Sequence, residues 1–466
     1  MFQMGMFSPL IQKLLNSILL FLCFSIHING QEKFRISTFD MDVTPPPGSH
    51  YLAYDPQVGT WDLGLRAKGI VIRGDDLPVV LCAVDWIGIG NEGMDAFKGT
   101  LAEAAGTRPE RVSVHALHQH DAPRCDFSAE RILIKAGADP AQFNPISFAG
   151  NFARQVLEDL RKVVTMSLEK SFPVDQIGYG EAEVYQVASN RNIYDEKGMV
   201  RATRWSASGN ASLRAEPEGV IDPTVSLLSF WNKEKPVAVL SFYAVHPQSY
   251  YRTGIPNPDF PGIARFFRQL AVPDALHIHF NGAGGNVAAG KYNDGSPENR
   301  LILAERMADG MKRAWESTVK QPINLEQNIW EVEKVNLPPA SHLYDLKKKV
   351  EQNDSLLIQN HGWARKIAFL ERMEAGVKTD IGMLKFNDVR VLFMPGELFV
   401  EYQLAAKSFD PDLKTAMAAY GDYGAGYIGT AVQYEKGGYE VSERASNVDP
   451  SVEGVLIEVM ERLLKK

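Results

Sequence analysis

Apolar runs of two kinds interleave along the chain, and this interleaving constrains the fold more than any other feature. Short β-branched stretches such as "VVLCAV", "VAVLSFYAV" and "VRVLFM" alternate with segments of helical period such as "MDAFKGTLAEAAG", "FPGIARFFRQL" and "FVEYQLAAK". The first kind suits strands and the second amphipathic helices. Two hairpins are legible: "AKGIVIRGDDLPVVLCAVDW" turns at "GDDLP", and "VSLLSFWNKEKPVAVLSFYAVH" turns at "NKEKP". "RISTFDMDVTPPPG" is a strand closed by Pro45 to Pro47, "RVSVHAL" and "LHIHFN" are further strands, and "SVEGVLIEVMERLLKK" is a closing amphipathic helix. The pattern predicts an α/β fold, a layered domain with mixed β-sheets flanked by helices. No internal repeat and no low-complexity linker is visible in the sequence. The reading is therefore one domain over 31–466, with a charged helical arm or lid at about 342–375.

Charge excludes one class of partner. The net charge is −8 and basic runs are short (Lys347 to Lys349, Lys465-Lys466), so no phosphate-binding surface and no nucleic-acid role is expected. The N-terminus carries Lys13 and then an apolar run from Leu14 to about Ile26, ending near Gly30. That fits a secretory signal over 1–30, and hence a secreted or periplasmic protein with no membrane span after cleavage; an uncleaved N-terminal anchor is the alternative. Of Cys23, Cys82 and Cys125, two remain after cleavage. A Cys82–Cys125 bridge is open, although Cys82 lies in an apolar strand where buried free thiols are common.

The chemistry-bearing residues fall after strands. "HALHQHDAPR" places His118 and His120 two apart, so an extended backbone turns both imidazoles to one face. Such a pair reads as metal ligands, as an acid/base pair, or as a polar strand end. His246 in "SFYAVHPQSYY" follows a strand in the same way, and Glu397 in "MPGELF" follows a strand and a Pro-Gly turn at a helix start. Glutamate is common there because it opposes the helix dipole. Tyr427 sits in the glycine-rich "GDYGAGYIGT".

These segments resemble a known family. "LHQHDAP" is similar to the "THTHSGP" motif of neutral/alkaline non-lysosomal ceramidases, "FYAVHPQSYY" to their "WFAxHPVSM", "MPGELF" to "PGEFTT", and "GYIGTAVQYEKGGYE" to "HYITTYEEYQAQRYE". "FDMDVTPPPG", "LGLRAKGIVI" and "SNRNIYD" echo further segments, and the set runs in family order from Phe34 to Glu440. The resemblance implies a ceramidase-like catalytic domain with a zinc ion (Zn2+) held by His118, His246, Glu397 and Tyr427. His120 would handle protons nearby, and Asp121, Arg191 and Tyr439 would orient ligands or substrate. It further implies metal-activated water attacking an N-acyl amide, with a small-molecule, lipid or glycoconjugate substrate.

Two departures matter. The family's "SNxGDVSPN" loop carries a serine needed for activity, whereas "NGAGGNVAAG" aligns Asn286 with its aspartate and Ala288 with its serine. Alanine offers no hydroxyl, so Asn286 or a backbone N–H becomes the expected oxyanion donor. The chain also ends soon after the tyrosine motif, so no C-terminal immunoglobulin-like domain is expected. Alternatives are the same metal on an ester, lactone or glycosidic bond, or a non-catalytic binding protein.

Overall fold

The computed structural model describes residues 34–54, 57–60, 62–139, 148–324 and 328–466. The apolar run near the N-terminus lies outside the described residues.

Repetition absent from the sequence is present in the fold. Three sheets share one plan: three consecutive antiparallel strands, a helix, then a fourth strand parallel to the third. In the first sheet these are β1 (Arg35–Asp42), β2 (Arg66–Arg73), β3 (Val79–Val84), helix α1 (Glu92–Ala105) and β4 (Val112–Ala116), with β5 (Ser171–Pro173) added beside β1. In the second they are β6 (Gln176–Glu183), β7 (Thr224–Asn232), β8 (Lys235–Tyr243), α2 (Asp259–Ala271) and β9 (Leu276–Asn281), with β10 (Val319–Pro322) beside β6. In the third they are β11 (Trp330–Val335), β12 (Thr379–Phe386), β13 (Val389–Phe393), α3 (Val400–Phe409) and β14 (Lys414–Ala418). A parallel neighbour cannot be reached by a tight turn, so each third-to-fourth connection needs the crossover helix.

The burial pattern explains why the inner strands, such as β3, are apolar throughout. In β3, Val79, Leu81 and Ala83 face a core shared by all three sheets, while Val80, Cys82 and Val84 face α1 and the helix Asn151–Ser167. The second sheet is backed by α2 and Glu298–Glu316, and the third by α3 and Val452–Leu464. Strands covered on both faces lose the polar positions of a half-exposed strand. Burial of each Val, Leu, Ile or Phe contributes about 1.5–3 kcal/mol. At the centre Phe280 stacks on Phe242 and meets Phe393 edge-on. Cys82 and Cys125 are both free and buried, and burial raises both thiols far above the ordinary range.

The fourth strands meet in a closed ring of hydrogen bonds. Ala116 N donates to Tyr420 O at 3.0 Å, Ala419 N to Asn281 O at 2.8 Å, and Asn281 Nδ2 to Leu117 O at 2.6 Å. The strand ends from which His118, His246 and Glu397 depart are thereby fixed relative to one another. His115, the first histidine of the three-histidine run, belongs to this junction: its Nδ1 faces Ala419 O at 2.6 Å and its Nε2 faces Ser113 Oγ at 2.9 Å.

The segment 342–375 is not a free arm. Its helices His342–Gln352, Ser355–Gln359 and Gly362–Glu374 bury Val350, Leu357, Ala364 and Ile367 against Ala129 and Leu133 of the helix Phe127–Lys135.

Candidate metal centre

His118 leaves β4 with a left-handed backbone, φ 73°. For a residue with a Cβ this costs about 1–2 kcal/mol, and the surroundings enforce it. The His118 N–H donates to Trp86 O, and its ring Nδ1 faces Ile87 O. Nδ1 therefore carries a hydrogen, and Nε2 is the ring nitrogen turned to the cavity. Nε2 lies 3.1 Å from Glu397 Oε2, off the axis a hydrogen bond requires, and that carboxylate oxygen has no donor among the described residues.

His246 follows β8. Its N–H donates to Val287 O, its ring bonds the Gly284 backbone, and its Nδ1 lies 3.9 Å from Glu397 Oε2 and 3.5 Å from the Tyr420 hydroxyl. Glu397 and Tyr427 are direct partners in a two-residue parallel ladder, Glu397–Leu398 on Tyr427–Ile428. The glycine-rich loop makes this convergence possible. A Cβ on Gly285 would stand 2.3 Å from Glu397 O, and one on Gly284 would stand 3.0 Å from His246 N. Only bare backbone lets these two loops close on each other.

The Glu397 carboxylate and the Tyr427 hydroxyl are held from behind. Tyr423 donates to Glu397 Oε1 at 2.7 Å, and Tyr427 stands beside the same residue as its ladder partner. Arg191 Nη1 donates to the Tyr427 hydroxyl at 3.0 Å, and its Nε lies 3.1 Å from Glu440 Oε1. Burial pushes the Glu397 carboxyl up, but His118, Tyr423 and Tyr427 together outweigh it and hold the group below its ordinary value. Burial and the neighbouring His118 push His120 and His246 well below the ordinary imidazole range, so both rings are neutral, the form in which imidazole ligates metals. Burial and Glu397 raise the Tyr427 phenol well above its ordinary value.

The donor set fits a zinc-sized ion. Donors about 2.0–2.2 Å from a tetrahedral ion lie about 3.3–3.6 Å apart, and the two Glu397–imidazole distances of 3.1 and 3.9 Å bracket that spacing. The ring nitrogens of His118, His120 and His246 also lie within 4.8 Å of one another. His120 Nδ1 is buried without a partner, and its ring stacks on Tyr54 at 5.5 Å between centroids. The site thus offers His118, His246, Glu397 and Tyr427, with His120 as a further donor alongside, at the base of a cavity of about 410 Å³.

Tyr439 and Arg191 line this cavity, but Asn286 does not. Asn286 Oδ1 accepts from Val400 N and its Nδ2 donates to Glu401 Oε2, both at 2.9 Å. Its carbonyl and one amide hydrogen are thus engaged at the start of α3, away from the cavity lining, where it supports the fold. Ala288 pairs with Ser189 in a two-residue ladder and does not line the cavity either. Asp121 accepts from Arg252 N, Thr253 N and Thr253 Oγ1, so it holds the loop after His246 and does not touch the ligands. Sequence reasoning missed Tyr423, Tyr420, Tyr54 and Trp205. Tyr423 stands four residues before Tyr427 in the same glycine-rich run, the one available signal.

Two solved structures resemble this one along most of its length. The neutral ceramidase of Pseudomonas aeruginosa aligns with TM-score 0.63 and 15% identity over 93% of this chain and 75% of its own. A ceramidase complexed with C2 aligns with TM-score 0.62 and 14% identity over the same shares. The fold is that of these ceramidases. No protein-family model and no curated protein matches the sequence.

Proposed function

We propose that the chain is an exported, zinc-dependent hydrolase of ceramidase type that cleaves an amide: the N-acyl C–N bond breaks, water supplies O–H to the carbonyl carbon, and a carboxylic acid and an amine leave. The observation that carries this reading is the buried Glu397 Oε2, without a hydrogen-bond donor and facing the ring nitrogens of His118 and His246 at 3.1 and 3.9 Å. A buried carboxylate oxygen is costly unless something positive meets it. The likeness to ceramidases supports the reaction type, and the apolar run from Leu14 to about Ile26 supports export.

When bound, zinc supplies a Lewis acid for a carbonyl and lowers the pKa of water. The remaining roles belong to the chain. His118, His246, Glu397 and Tyr427 hold the ion, and Ile87 O and Tyr423 fix the ring and carboxylate that face it. Arg191 keeps the Tyr427 oxygen oriented and offsets charge on it. His120, neutral and with a free Nδ1, takes a proton at that atom and returns it to the leaving nitrogen. Tyr439 lines the cavity in which the acyl group would lie.

Metal analysis of the purified chain, beside His118→Ala and His246→Ala, tests the reading. One zinc per chain is expected in the parent and none in either variant, with amine release from N-acyl substrates following the metal. Full zinc in both variants would overturn the assignment.

A further inference from the structure

The cavity above the candidate ion is polar and aromatic. Among the described residues its lining has one aliphatic side chain, the methyl of Ala207, and no Leu, Ile, Val, Met or Phe. A long acyl chain needs apolar walls along its length to leave water, and these walls do not provide them.

What the walls provide is aromatic rings with polar groups between them. On one side Trp205 and Tyr439 meet edge to face, 5.2 Å between centroids, and the Trp205 side of the cavity is open, the residue being 47% exposed. On another, Tyr54 and Tyr251 meet at 4.8 Å. Ser206 donates to Gln248 Oε1 at 2.9 Å, which leaves the Gln248 amide N–H groups and a Ser206 lone pair for a ligand.

The tryptophan is presented on a rigid mount. Arg204 beside it is buried, and its guanidinium donates to the backbone carbonyls of Asn190, Leu213, Glu216, Pro217 and Glu218. Asn293 Nδ2 donates to Ser206 O at 2.9 Å, and Gly290 gives way to the Trp205 backbone, since a Cβ there would stand 1.8 Å from Trp205 O. A half-exposed indole carried by such a loop is a pre-organised contact surface.

We infer that the substrate is a compact, hydroxyl-rich N-acyl compound, an N-acylated amino sugar, whose ring lies on Trp205 and whose hydroxyls bond the Gln248–Ser206 pair. Flat aromatic faces with polar edges suit a ring that has apolar C–H faces and a polar rim. The reaction is the one proposed above: water is consumed, the N–acyl bond breaks, and a short carboxylic acid and the amino sugar are released. This inference rests on the hydrolase reading for its bond and on the cleft alone for its substrate class.

The test keeps the two apart. The zinc-loaded full chain is assayed on N-acetylglucosamine, its β-1,4-linked dimer and a long-chain N-acylsphingosine, with acetate or fatty acid as the readout. Acetate release from a sugar is expected, with kcat/KM falling about tenfold or more in Trp205→Ala, mainly through KM and at unchanged zinc content. Faster turnover of the N-acylsphingosine than of either sugar would overturn the inference and leave the hydrolase reading standing. If neither class is turned over, the hydrolase reading falls, and calorimetric titration of the zinc-free chain with the dimer decides the substrate class. Binding lost in Trp205→Ala sustains it; no binding overturns it.

Discussion

Glu397→Gln separates metal binding from folding at one atom pair. The amide is isosteric with the carboxylate. Its oxygen still accepts from Tyr423, and its NH2 falls where Oε2 now stands, 3.1 Å from His118 Nε2. The substitution therefore removes a charged ligand and leaves in its place an amide nitrogen with no lone pair to give a cation. Four-donor zinc sites bind with about 10–16 kcal/mol, so one donor accounts for about 3–4 kcal/mol, and the affinity should fall about 10²–10³-fold. Zinc at a hundredfold over Kd adds about 2.7 kcal/mol to stability. For a chain of 466 residues the unfolding entropy is about 1 kcal/mol/K, so the parent's Tm should rise by about 3 °C on adding zinc. The variant, at the same zinc concentration, should not move. Without metal the two proteins should melt within about 1 °C of each other, since the packing and the Tyr423 bond persist. Calorimetric titration with zinc and thermal melts before and after chelation measure both quantities. Parent-like zinc affinity in Glu397→Gln would refute the reasoning outright. A large loss of metal-free stability would show that the carboxylate serves the fold instead.

Other substitutions probe the supports. Asn286→Ala should cost about 1–3 kcal/mol in denaturant unfolding, because it strands the buried Val400 N–H, while zinc stoichiometry stays at one; an unchanged stability with lost turnover would restore a catalytic role. Gly285→Ala should weaken zinc binding measurably by calorimetry, since its Cβ would press on Glu397 O at 2.3 Å and displace the carboxylate; parent-like affinity would mean that the loop is compliant. His115 is held neutral by burial, its pKa lowered to about 4. The unfolded chain takes a proton at this residue below about 6.5 and the folded chain only below about 4, so stability is lost as pH falls through that window. Relative to His115→Asn, the metal-free parent should lose up to about 1.4 kcal/mol more per pH unit between those values. Parallel pH profiles of the two proteins would contradict this.

Much of the fold is legible in the sequence because its periods are local. Both hairpins fall where "GDDLP" and "NKEKP" turn, and α1 stops at Gly106, whose φ of 67° closes the helix. The sheet plan is not legible. Its repetition lies in the order and direction of strands, and β3, β8 and β13 share only the property of being buried on both faces. The ligand candidates His118, His246, Glu397 and Tyr427 were accessible through motifs, and the structure brings all four together. Asn286 stands outside the cavity lining, because alignment to a motif fixes a position in the chain and not the direction of a side chain. Trp205 was missed because its role depends on Arg204, whose five carbonyl partners lie nine to fourteen residues away.

The threefold plan also accounts for where the ion-sized gap is. In each sheet the third and fourth strands are parallel, so both release their chains at the same end. Crevices beyond the carboxyl ends of parallel strands are where open α/β sheets place ligands, because loops from neighbouring strands converge there. Here three such ends are tied together by the bonds among Ala116, Asn281 and Ala419 and their partners. One sheet delivers His118 and His120, the second His246, and the third Glu397 and Tyr427, so no single sheet holds enough donors to bind a cation by itself. An ion seated among them would join all three sheets. Its removal should then loosen the junction itself, with faster amide exchange at Ala116, Ala419 and Tyr420 in the chelated protein than in the zinc-loaded one. Unchanged exchange at these three amides would mean that the ring of hydrogen bonds holds the sheets together without help from the metal.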